Sequence, residues 1–106
     1  MSRLPQLLRF LESSPNDAFL LFALAKEHEG LGDDDKALEY YLKLRDTNPK
    51  YVGLYYHLGK LYVRRKDIDQ AIAVYRAGME VANFAGDRHA YSELAGAKLE
   101  ISDEED

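Results

Sequence analysis

Three histidines, His28, His57 and His89, are the side chains best suited to hold a metal or move a proton near neutral pH. No two of them fall within one helical stretch, so the i, i+4 pair of a helical metal site is absent. The chain has no cysteine, which removes disulfides, thiolate metal sites and thiol nucleophiles and leaves the redox compartment undecided. There is no glycine-rich phosphate loop, no Gly-x-Ser-x-Gly elbow and no nucleophile spaced for a neighbouring base. The run Asp33-Asp34-Asp35 lacks the alternation and closing glutamate of a calcium loop, and N-capping is its reading. The eight tyrosines could stack on bases, but the charge opposes it: 19 acids face 14 bases, for a net −5. Four of those acids are Asp103 to Asp106; without them the balance is 15 to 14, and phosphate binding needs a concentrated basic surface. The expectation is a protein with no metal, no cofactor, no nucleic-acid partner and no catalytic residue.

The elements that carry these residues read as helices throughout. A chain of 106 residues makes one small domain the expectation, and a 46% hydrophobic content is enough for a core. No apolar run approaches the ~20 residues that span a bilayer. The start, MSRLPQLLRFLESS, lacks the apolar core and cleavage site of a signal peptide. A cytoplasmic, membrane-free protein is expected. Leu20, Leu21, Leu24 and Leu31 recur at helical spacing, as do Leu54, Tyr55, Leu58 and Tyr62. Turn and cap signals fall at Ser14-Pro15-Asn16-Asp17, Gly30-Leu31-Gly32, Asn48-Pro49, Arg65-Lys66-Asp67 and Gly86-Asp87. They predict helices near 4–13, 17–30, 34–47, 51–65, 68–83 and 88–101. The cluster Arg64-Arg65-Lys66 at a helix C-terminus complements the dipole there. The like-charge tail 102–106 is expected to be disordered and solubilising, or else a pseudo-ligand that occupies a cationic groove with Lys26, Lys60 and Arg64, in cis or from a second molecule.

The chain also repeats itself. Shifting it by 34 aligns 15–49 with 49–83 and gives 8 identities in 35 positions: Pro15/Pro49, Leu20/Leu54, Leu24/Leu58, Lys26/Lys60, Asp33/Asp67, Asp35/Asp69, Ala37/Ala71 and Tyr41/Tyr75. Composition alone would give about 2 to 3. The second unit reads Tyr55, Leu58-Gly59, Tyr62, Ala71, Tyr75, Gly78, and the first reads Leu21, Leu24-Ala25, His28, Ala37, Tyr41, Leu44, Pro49. Small residues at these places let helices approach, and bulky ones fill the gaps. In this pattern the chain resembles the tetratricopeptide repeat family. The resemblance implies an all-α, right-handed superhelical stack of antiparallel helix hairpins, an α-solenoid. Its repeats fall at about 18–51 and 52–85 and its cap helix at about 88–101, all within a single domain 1–101. Asn83 replaces the closing proline, and a third unit fits only if moved by two residues, to Tyr91 and Leu94-Ala95, which places two extra residues in the 83–87 turn. Residues 4–13 resemble a truncated second helix of a preceding repeat, with Leu7 and Phe10 facing inward.

The resemblance also implies a site. The first helix of each repeat in this family lines a concave groove that takes peptides or helices. By position this gives Phe19, Phe22, Lys26 and Glu29; then Gly53, Tyr56, His57, Lys60 and Arg64; then His89, Ser92 and Glu93 of the cap. Phe19, Phe22 and Lys26 share one helix face, as do Tyr56, Lys60 and Arg64. Ala23, His57 and Glu93 stand where a carboxylate clamp of the chaperone-binding type has asparagines and an arginine, so that subclass does not extend to this chain. The expected function is a non-enzymatic scaffold binding a protein or peptide, with an acidic segment suited to Lys26, Lys60 and Arg64. The alternative is a self-association element, as a homodimer or part of a larger repeat assembly.

Overall fold

Aspartates start four of the helices in the computed structural model, which describes residues 2–102. Helix α2 (Ala18–Gly30) is capped by Asp17, α3 (Asp34–Thr47) by Asp33, α5 (Ile68–Ala85) by Asp67 and α6 (Arg88–Ile101) by Asp87. Each carboxylate accepts the N–H three residues on, at 3.0, 3.1, 3.4 and 3.0 Å in turn. Helices α1 (Leu4–Ser13) and α4 (Gly53–Arg64) start without a side-chain cap; Pro5 opens the first turn of α1. No strand occurs among the described residues. The expected bounds are met within two residues at every helix end.

Three of the connections are the same device. Gly32, Lys66 and Gly86 have φ of 79°, 62° and 74°. At each, the next residue is an aspartate whose N–H reaches back to close the helix: Asp33 to His28, Asp67 to Tyr62 and Asp87 to Ala82, all at 2.9 Å. The left-handed residue itself bonds back to Glu29, Val63 or Asn83, which completes a Schellman closure. One dipeptide therefore ends one helix and caps the next.

The chain divides between Tyr51 and Val52 into two units. In the first, α1 packs on α2 and α2 on α3. Leu7, Leu21, Leu24, Ala25, Ala37, Tyr41 and Leu44 form its core. His28 occupies the repeat's tyrosine position at 8% exposure and stacks on Tyr40, with centroids 5.6 Å apart and planes 14° off parallel. Phe10 was expected to face inward. Only Leu7 of that pair does so, and Phe10 is 63% exposed, because α1 packs on a single neighbouring helix.

In the second unit, α4 packs on α5, α5 on α6, and α4 also touches α6. Glycines set the spacing. A Cβ on Gly59 would lie 2.2 Å from the Tyr75 ring, and one on Gly78 would lie 2.5 Å from the Tyr55 Cβ. Of the shifted register of the third unit, Leu94 is buried and Ala95 half-buried, whereas Tyr91 is 39% exposed; Ser92 and Glu93 of the strict phase are exposed. The extra residues do not lie in a turn, as expected, but in α5. That helix continues to Ala85, and a two-residue Gly86-Asp87 joint follows. The acidic residues 103–106 of the expected tail lie outside the described residues.

Candidate binding surfaces

In the first unit the candidate residues lie on α2. Phe19, in its first turn, is 63% exposed. Phe22 is half-buried in an aromatic cluster, edge-on to Tyr41 at 6.2 Å and tilted against Tyr51 at 5.4 Å. Burial of Tyr51, and then the nearby Asp17 carboxylate, raises the Tyr51 hydroxyl pKa above its usual 10. Glu29 is engaged internally: the Tyr41 hydroxyl donates to its Oε1, and Lys26 Nζ lies 3.8 Å from the same oxygen. The Tyr41 partner of Glu29 could not be read from helical spacing, because it comes from α3. This unit thus turns Phe19 and Lys26 outward and ties Phe22 and Glu29 into its own packing.

In the second unit, α4 brings three candidates together. Lys60 Nζ stands over the Tyr56 ring, 5.4 Å from its centroid, and the His57 ring meets Tyr56 edge-on at 5.6 Å and 88°. Arg64 follows one turn later, exposed, as the last residue of α4. On α6, His89 Nε2 and Glu93 Oε2 lie 3.8 Å apart across one turn, both exposed. Gly53 and Ser92 are exposed as well.

Behind α4 stands Tyr75, buried on α5 against Gly59. Its hydroxyl pKa is pushed up to about 12, first by burial, then by Tyr56 and by Glu100 of α6. Glu100 therefore borders this surface, which the sequence reading missed. The signal was available: the shift that aligns Leu58 with Leu94 also aligns Arg64 with Glu100. A cleft of about 240 Å³ between α5 and α6, lined by Arg76, Met79, Glu80, Asn83 and Tyr91, is a further feature that no motif announced.

Chemically, these surfaces offer cations beside aromatic rings. No group of three or more histidine or acidic side chains among the described residues is arranged to hold a metal ion. No helix of the described residues is long and apolar enough to cross a membrane.

Comparison with known proteins agrees with this architecture. A family model described as tetratricopeptide repeat matches residues 18–61, and a second of the same description matches 52–83. No curated protein matches the chain. Among solved structures, the crystal structure of a tetratricopeptide repeat domain protein from Salinibacter ruber is 45% identical, with a TM-score of 0.78, covering 84% of this chain and 99% of that one. A solution NMR structure of a tetratricopeptide repeat domain protein from the same organism is also 45% identical, with a TM-score of 0.80, covering 86% and 92%. The helices, the 34-residue period, the family models and these neighbours agree on an all-α solenoid class, and the chain belongs to the tetratricopeptide repeat family.

Proposed function

We propose that this chain is a non-enzymatic interaction module that binds an acidic peptide or helical segment along α4, with α2 offering a second surface of similar chemistry. Tetratricopeptide repeats mediate protein–protein interaction, which supplies the class of partner. The observation that carries the finer reading is the Lys60–Tyr56 pair. A lysine held over an aromatic face, with His57 beside it and Arg64 one turn on, matches a carboxylate-bearing segment that also has apolar side chains. Phe19 and Lys26 repeat the combination on α2.

The test is capture of proteins from source-cell lysate at low salt by the parent and by the triple variant Lys26→Glu, Lys60→Glu, Arg64→Glu. All three positions are on the surface, so the variant is expected to keep its helical spectrum. A protein retained by the parent and lost by the folded variant is the expected result. Equal capture by both would remove these cations from the account.

A second reading is favoured by apolar side chains left outside both units' cores. Leu8 and Phe10 on α1 are 40% and 63% exposed, and Phe84 on α5 is 84% exposed. Such residues suit self-association. Sedimentation at rising protein concentration, without any ligand, separates the readings: a dimer favours the second, and a monomer at all concentrations favours the first.

A further inference from the structure

We propose that α6 pairs with the α6 of a second copy of this chain, antiparallel and twofold, through the face that carries Ser92, Ala95, Gly96 and Leu99. This rests on the self-association reading and gives it a surface. Leu94, Ala97 and Lys98 are buried, and they turn one side of α6 toward its own unit, where α5 and α4 lie. Ser92, Gly96 and Leu99, spaced by 4 and 3, lie on the opposite side and are exposed; Ala95 borders them, half-buried. Leu99 is 55% exposed, and a Cβ on Gly96 would meet nothing within 4 Å. One large apolar side chain and three small residues thus share an open helix face.

This face departs from its counterparts. At the same repeat positions α2 has Phe22, Lys26 and Glu29, and α4 has Tyr56, Lys60 and Val63. On α6 the ring and the cation are gone, and two small residues and a leucine replace them. The face is also complementary to itself, which a twofold contact between identical copies demands. With the axis at Ala95 and Gly96, Leu99 lies level with the partner's Ser92, and the partner's Leu99 lies level with Ser92. Ser92, Tyr91 and Arg88 line a hollow of about 290 Å³ that a leucine side chain can enter. The small residues between these two points let the helices approach at the short end of the usual ~8–10 Å.

Charge sets the direction. Arg88 and His89 stand in the first turn of α6, and Glu100 stands in its last turn; Lys98 is buried on the inner side. A parallel pair would place Arg88 beside Arg88 and Glu100 beside Glu100. The antiparallel pair brings the cationic end of each helix against Glu100 and the negative helix end of the other, twice over. Glu93 lies 3.8 Å from His89 on its own helix, so Arg88 and Glu100 are the groups that decide the orientation.

The interface is one helix of 14 residues, about 21 Å long, so the association is of the weak class. Sedimentation of the full chain, taken to about 1 mM, should show a reversible dimer. Arg88→Glu and Glu100→Arg should each raise its Kd about tenfold. The combined variant should return to the parental value, because the pair is inverted in place. Both substitutions suit the dipole at their helix ends, so the helical spectrum should be kept. In a chain without cysteine, Gly96→Cys should oxidise to a linked dimer, since facing Cα atoms at the axis fall within the ~7 Å that a disulfide spans. Phe10→Cys on α1 should oxidise more slowly. A monomer at every concentration overturns both this pairing and the self-association reading. A dimer that ignores the single charge variants, fails to recover in the combined one, or links faster through Phe10→Cys overturns the pairing alone.

Discussion

At the scale of single residues, two positions, Gly59 and Lys66, behave in opposite ways for stated reasons. Gly59 has the Tyr75 ring where its Cβ would be, so Gly59→Ala must displace a buried ring from a tight core. The expected loss is about 1–3 kcal/mol, read from the urea midpoint. Lys66 is the opposite case. It holds a left-handed conformation, and its counterpart Gly32 shows what the backbone prefers. Lys66→Gly should gain about 1 kcal/mol in the same experiment. The first of these was legible in the sequence, since a small residue after Leu58 calls for close approach. The second was not, because the sign of φ at 66 follows from the closure between Asp67 and Tyr62. The same limit applied to the candidate site. Spacing put Phe22 and Glu29 on the face of α2 with Lys26, but could not show that Tyr51 and Tyr41 engage them.

At the scale of helices, the caps and the bare glycine of α6 make a matched pair of expectations. Asp87 accepts the Ala90 N–H and opens α6; Asp87→Ala should cost about 1 kcal/mol. Gly96 sits in the interior of the same helix, with nothing within 4 Å of where a Cβ would be. Gly96→Ala should gain about 0.5–1 kcal/mol, because alanine restricts the unfolded chain and fits the helix without contact. Thermal unfolding of the two variants beside the parent should move the midpoint in opposite directions. Helix positions were read closely from the sequence because α2, α3, α5 and α6 each start on a local aspartate signal. The end of α5 was not, since nothing in Asn83-Phe84-Ala85 by itself says whether the helix or the turn takes the extra residues. Gly86 decides it by supplying the left-handed closure. The exposure of Phe10 was hidden for another reason: a helical period shows which side is apolar, not whether a neighbour exists to cover it.

At the scale of the molecule, each unit carries a tyrosine whose hydroxyl holds its proton more firmly than in the unfolded chain. Tyr75 ionises near pH 12 when folded, against about 10 when unfolded, and Tyr51 is shifted in the same direction. Below pH 10 both states are protonated and the difference contributes nothing to the pH slope. Between pH 10 and about 12 the unfolded state releases protons first, so stability should fall across that window. Tyr75→Phe, compared with the parent at each pH, should show a shallower fall. The fold class was legible because a 34-residue period leaves few architectures, whereas the identity of a partner is a property of surfaces that the period does not constrain. The Gly-Asp and Lys-Asp joints have one more consequence. Since a joint satisfies the helix before it and the helix after it with its own two residues, helix length can drift on either side without a redesigned seam; α3 has 14 residues and α5 has 18. A lineage can therefore add or trim turns, or copy a hairpin whole, and still find every junction already written into the copy.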